Sequence, residues 1–223
     1  MRSLFIISLA MLLFISCKKE EEVTIPEVIP PVEDPNYFPL EIGSYWVYEN
    51  YRIDSLGIPT DISKIDSLII TKDTIVNNKR YSVFEGEVYP FIPWKVQYIL
   101  RDSAGYIVNL LGKKIFSHTD FNDPLEEYVT YHENDTLYTI RSKMEMLIGE
   151  VEVKAGSFSV LGRINTFRFY FYKPDTLEIL ERDMYTQFAH NIGMISDMYH
   201  YVGQVGHYEK RLLRYHIAIP IGD

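Results

Sequence analysis

From Tyr37 onward, apolar and polar residues alternate with a period of two, and the helical period of about 3.6 residues hardly appears. In RFYFYKPDTLEILERDMY, Phe167, Phe169 and Phe171 fall on one face and Arg168, Tyr170 and Tyr172 on the other. That stretch predicts a strand turning through Lys173 to Thr176 into a second strand, Leu177 to Tyr185. The same reasoning pairs Ser67 to Val76 with Lys79 to Val88 across Asn77-Asn78, and Val96 to Arg101 with Tyr106 to Leu111 across Asp102 to Gly105. Asn134-Asp135 turns another pair. In GEVEVKAGSFSV, Val151 and Val153 alternate with Glu150, Glu152 and Lys154 until the pattern breaks at Ala155-Gly156. The last segment adds two strands, with Gly203 and Gly206 flanking their turn. About a dozen short strands joined by tight turns predict an all-β or mainly β domain. The expected form is an antiparallel meander making a curved sheet, a half-barrel or a barrel, with a sandwich as a further arrangement. The absence of an internal sequence repeat argues against a solenoid or propeller.

Composition narrows this picture without changing it. The chain has 223 residues, 47% of them hydrophobic, enough for one ordinary core. Its 18 Tyr and 12 Phe against 2 Trp suit half-buried pleated strands better than helix interiors. The net charge of -9, with no basic patch in the sequence, argues against nucleic acid as a partner.

The N-terminus carries the one feature that gives an address. Arg2 is followed by an uncharged apolar run, Leu4 to Ile15, and then by the small residue Ser16. Residues 1–16 read as a signal peptide, too short to span a bilayer as a mature helix. Phe14-Ile15-Ser16-Cys17 resembles the lipobox of bacterial lipoproteins, which implies acylation of Cys17, the single cysteine of the chain. Several acyl chains, at about 0.8 kcal/mol per buried methylene, hold a soluble domain on a membrane. With Cys17 so used, no disulfide, cysteine-based zinc cluster or thiol nucleophile can form.

The run Lys18, Lys19, Glu20, Glu21, Glu22 resembles the lipoprotein export signal of certain Gram-negative bacteria, which implies transfer to the outer face of the outer membrane. Read as chemistry alone, it is a solvated charge run at the start of a tether. Residues 23–36, VTIPEVIPPVEDPN, hold four prolines and form a semi-rigid stalk. The expected organisation is thus signal peptide 1–16, acylated and charged Pro-rich tether 17–36, and one β-rich domain 37–223. Within that domain, YFPLEIGSYWVYE, VKAGSFSV and YTQFAHNIGMI resemble segments of small envelope lipoproteins of the same bacterial group. The resemblance implies a curved antiparallel sheet like that of periplasmic lipoprotein carriers, and it implies no settled activity.

Candidate chemistry is sparse. His118, Asp120 and Asp123 in HTDFND offer the start of a metal site, but without a clear third or fourth protein ligand a polar loop is the simpler reading, and no metal or other cofactor is expected. His200, His207 and His216 lie along the final hairpin and could approach one another across strands. There is no Gly-x-Ser-x-Gly elbow and no glycine-rich phosphate loop, while a facing carboxylate pair for glycoside hydrolysis is neither supported nor excluded. No catalytic residue is assigned. Trp46, Trp94 and the tyrosines could stack on sugar rings or line an apolar cavity, or serve as core and cross-strand pairs.

Six Asp-Ser or Asp-Thr dipeptides, each followed by a small or aliphatic residue, place hydroxyls at Ser55, Ser67, Thr74, Ser103, Thr136 and Thr176. They resemble the O-glycosylation sequon of exported proteins in that bacterial group, and they also read as turns entering strands. The expectation for function is a non-enzymatic, membrane-anchored lipoprotein facing outward and binding a glycan, peptide, lipid or protein partner. One alternative is a periplasm-facing carrier or assembly factor holding an apolar ligand in a concave sheet. Another is a hydrolase of surface polymers.

Overall fold

The computed structural model describes residues 36–86, 96–200 and 206–219. Cys17, the run Lys18 to Glu22, the proline-rich tether through residue 35, Trp94 and Gly203 lie outside the described residues. The described chain forms β1 (Tyr45–Ile53), β2 (Pro59–Val76), β3 (Lys79–Gly86), β4 (Val96–Ser103), β5 (Tyr106–Asn109), β6 (Lys114–Ser117), β7 (Glu126–His132), β8 (Asp135–Val153), β9 (Gly156–Lys173), β10 (Thr176–Ala189), β11 (Gly193–Tyr199) and β12 (His207–His216). The domain is all-β, and these strands make one antiparallel sheet in the order β6-β5-β4-β3-β2-β1-β12-β11-β10-β9-β8-β7. Sequence neighbours pair throughout, except that the first strand also pairs with the last and the sheet opens between β6 and β7. It is nearly closed into a barrel.

Side chains link the two edges. Arg163 on β9 donates from Nη1 to the Ile115 carbonyl on β6 at 3.1 Å, and Lys113 pairs with Glu126 on β7 at 2.5 Å.

The count of about a dozen strands holds among the described residues, but their shortness does not: β2, β8 and β9 span 18, 19 and 18 residues. Breaks in the alternation that suggest strand ends are register shifts within continuous strands: a bulge at Ile70/Lys72 between β2 and β3, and a wider irregularity at Met146/Glu150 between β8 and β9. A bulge adds a residue and bends the strand, which lets long strands follow a tightly curved sheet.

Turn positions shift slightly from expectation. Asn77 and Asn78 adopt φ values of 51° and 59°, the paired left-handed geometry that matches strand twist in a two-residue hairpin. The β4–β5 turn is only Ala104-Gly105, because Ser103 pairs with Tyr106 and Asp102 with Ile107. The β7–β8 turn is Glu133-Asn134, since Asp135 already pairs with His132.

Aromatic side chains from distant parts of the chain gather into a plug inside the sheet. Phe38, just before β1, lies 5.9 Å from Phe84, 6.1 Å from Phe116 and 5.8 Å from Phe188 between ring centroids. Phe116 and Phe188 approach to 4.7 Å, and Trp46 stacks on Phe84 at 6.1 Å. Offset and tilted rings at these spacings add favourable quadrupole contacts to the area they bury.

The Trp46 indole donates to the Ile192 carbonyl at 2.6 Å, and the Asn191 amide donates to the Asn36 carbonyl at 2.6 Å. The segments YFPLEIGSYWVYE and YTQFAHNIGMI therefore meet at this plug. Gly193 supports the approach: its φ is +98°, and a Cβ there would sit 3.4 Å from the Trp46 ring nitrogen and from Pro39.

Candidate functional site

Beside the plug, the inner face of the sheet changes character. The register aligns Arg163 with Thr186, Thr186 with Asp197, Asp197 with Lys210 and Lys210 with Asn50, a polar row across five adjacent strands from β9 to β1. Paired residues of an antiparallel sheet share a face, so the row follows from register alone. On β2, Asp66 extends it, accepting from Asn50 Nδ2 at 2.9 Å and lying 3.3 Å from Lys210 Nζ and 3.4 Å from Lys64 Nζ. At the other end, Arg163 Nη2 donates to Thr186 Oγ1 at 3.0 Å, and Thr186 donates to Asp197 Oδ1 at 2.7 Å.

Asp66, Asn50, Thr186 and Lys210 are all buried. Buried charge is tolerated only where partners offset its desolvation, and these hydrogen bonds and ion pairs supply them.

Burial also biases the protons. It holds the Asp197 carboxyl above the usual carboxylate range, opposed by the Thr186 hydrogen bond and by the charges of Arg163 and Lys210. Burial pulls the Lys210 ammonium below its usual value, with Asp66 and Asp197 opposing. The Tyr48 phenol, buried and near Asp197, is pushed well above its usual range and donates to the Met194 carbonyl at 2.9 Å. Lys210 Nζ also sits 5.5 Å from the Tyr48 ring centroid, a cation–π contact that partly replaces lost hydration.

A cavity of about 620 Å³ opens beside this row. Arg163, Asp197 and Lys210 line one side, on β9, β11 and β12. Leu68, Phe84, Tyr98 and Leu100 line the facing side, on β2, β3 and β4, and Phe188 and Met194 complete the apolar surface. Its size falls within the range of about 300–1,000 Å³ typical of small-molecule sites, and apolar walls with a few convergent polar groups are their usual chemistry. Another hollow, of about 630 Å³, lies beside Tyr37 and His118, but the buried polar row does not reach it. We therefore take the first cavity as the candidate site.

Sequence reasoning missed the polar residues that line it, Arg163, Asp197 and Lys210, and the role of Asp66 behind Lys210. A signal was available. In strand β12, Lys210 occupies the inward register of Tyr208 and Leu212, and in strand β11 Asp197 occupies that of Ile195 and Tyr199.

The residues singled out from sequence have other tasks. Asp120 builds its own loop: it accepts from the Asn122 amide at 3.3 Å, the Asp123 amide at 3.1 Å and the Tyr106 hydroxyl at 2.6 Å. Those bonds, with Tyr106 the largest influence, hold its carboxyl below the usual range. Among the described residues no group of three or more His, Cys, Asp or Glu is placed to hold a metal ion. His200 and His207 do approach, at 5.2 Å between centroids, whereas His216 lies against Tyr45 at 5.7 Å. Trp46 is buried and serves the plug.

Of the six candidate hydroxyls, Ser55, Ser67 and Thr176 are exposed and Thr74, Ser103 and Thr136 half-buried. Their aspartates have structural partners in at least three cases. Asp54 accepts from the Leu56 and Ile58 amides at 2.8 and 2.9 Å, Asp66 belongs to the buried row, and Asp73 accepts from Arg80 Nε at 2.6 Å.

No family model matches the chain, and no curated protein matches it. Two solved structures are similar to it. One is a candidate exported protein of Bacteroides fragilis with a YmcC-like fold, 15% identical, with a TM-score of 0.49, covering 80% of this chain and 98% of its own. The other is a candidate lipoprotein of Parabacteroides distasonis, 12% identical, with a TM-score of 0.48, covering 81% of this chain and 98% of its own.

Proposed function

We propose that this chain is a non-enzymatic, lipid-anchored envelope protein that holds an apolar ligand in the concave face of its sheet. The observation that carries the reading is the cavity of about 620 Å³ with its wall of Leu68, Phe84, Tyr98 and Leu100. Of the ligand classes open from sequence, a lipid-like molecule fits such a wall better than a glycan, because sugar hydroxyls would leave their hydrogen bonds unmade against it. Anchoring through Cys17, export directed by Lys18 to Glu22 and a stalk of residues 23–36 complete the proposal. They rest on the sequence features and on their resemblance to lipoprotein signals.

Nile red, a neutral dye that fluoresces in apolar surroundings, tests the cavity. Saturable binding at one dye per chain is expected, reduced at least tenfold by Leu100→Trp, which fills the apolar wall. Absence of saturable binding to the folded domain contradicts the reading. For the anchor, Cys17→Ala should move the protein from the membrane fraction to the soluble fraction, and protease added to whole cells should cleave the wild type if it faces outward.

A further inference from the structure

The two walls of the cavity differ in chemistry. The apolar wall comes from β2, β3 and β4, while the opposite wall presents Arg163, Asp197 and Lys210. Of the four charged side chains lining the cavity, Lys113, Arg163 and Lys210 are cations and Asp197 alone is an anion. Lys113 has Glu126 beside it, and Lys210 has Asp66 behind it. The lining itself nonetheless carries three cations to one anion, inside a protein whose net charge is -9.

We infer that the cavity selects an amphiphile with a single anionic head, its tail against Leu68, Phe84 and Leu100 and its head between Arg163 and Lys210. This inference rests on the cavity being the binding site. A neutral apolar ligand would leave the polar wall facing hydrocarbon, stripped of water, at a cost that an anionic head removes. The guanidinium suits the role because its planar donors match carboxylate or phosphate oxygens. Asp197 stands between the two cations in the register and competes with such a head for them. It therefore limits affinity, and its neutral form favours anion binding.

Three amphiphiles with the same tail separate the head from the cavity: dodecanoate, dodecanol and dodecyltrimethylammonium, each used below its micelle concentration to displace Nile red from the full chain carrying Cys17→Ala. Dodecanoate should displace the dye at a concentration at least tenfold lower than dodecanol, with the cationic amphiphile weakest. Asp197→Asn should tighten dodecanoate several-fold and leave dodecanol unchanged, and Arg163→Met should abolish the preference for the acid. Should Arg163→Met fail to fold, the Asp197→Asn comparison still decides. Equal displacement by all three amphiphiles, with Nile red still bound at one per chain, overturns the head selection and leaves the cavity reading standing. Failure of Nile red to bind removes both.

Discussion

The plug and the polar row lie on the same inner face, and they make opposite contributions to the fold. In the plug, Phe38, Phe84, Phe116 and Phe188 bury rings against one another with no polar group left to satisfy. A few strand positions away, Asp66 and Lys210 are buried and Asp197 and Arg163 half-buried, and hydrogen bonds and ion pairs replace the hydration they give up. Aliphatic residues at those positions would pack a barrel at least as stably. The contrast is what the proposed ligand accounts for: the plug joins strands from distant parts of the chain, whereas the row lines the cavity.

The largest effect is expected in the plug. Phe116→Ala should lower unfolding free energy by about 3–5 kcal/mol, measured by denaturant titration, because the lost ring leaves a cavity among three others. Lys210→Met should lose less, about 1–3 kcal/mol, since Asp66 keeps Lys64 at 3.4 Å and Asp197 keeps the charge of Arg163. If Lys210→Met is the more damaging of the two, the row is scaffold and the contrast fails.

A smaller effect separates the two regions by pH. Asp197 is faced by Thr186 on β10, Arg163 on β9, Lys210 on β12 and Tyr48 on β1, and its pKa in the fold is raised. The folded state therefore keeps this proton after the unfolded chain has lost it, so the contribution of Asp197 falls as pH rises from about 4, the ordinary carboxylate value, through the higher folded value. Asp197→Asn should remove that decline, so the stability of the variant relative to wild type should grow across the window and level off above it. Chemical denaturation at a series of pH values checks this, and a gap that shrinks as pH rises would mean that the cations outweigh burial.

Least of all should the surface hydroxyls matter to the fold: Thr176→Ala should change stability by no more than about 1 kcal/mol. If the dipeptides are modified, intact mass of protein from its own host should exceed polypeptide plus lipid in discrete steps. Loss of steps should be clearest at the exposed Ser55, Ser67 and Thr176. A bare mass leaves turn chemistry as their whole role.

Much of the sheet could be read from the chain. Alternation in Phe167 to Tyr172 and the Asn77-Asn78 turn depend on local geometry, which a few neighbouring residues determine. Strand length was harder, because a register shift such as that at Met146/Glu150 looks locally like an end. The row was hidden for another reason. Arg163, Asp197 and Lys210 are distant in sequence, and each alone resembles an outward-facing charge. Only the register of β9 to β12 makes them one surface. The motif HTDFND, by contrast, concentrates chemistry in sequence, yet its central carboxylate is occupied by its own turn.

Methyl resonances of methionine in the full chain carrying Cys17→Ala provide the most direct test that the cavity is the binding site. Met194 lines the cavity, whereas Met146 is exposed and lies outside its lining. Titration with dodecanoate should shift the Met194 methyl saturably, at one ligand per chain, and leave Met146 in place. A Met194 methyl that does not move while the ligand binds elsewhere, or does not bind at all, would contradict it.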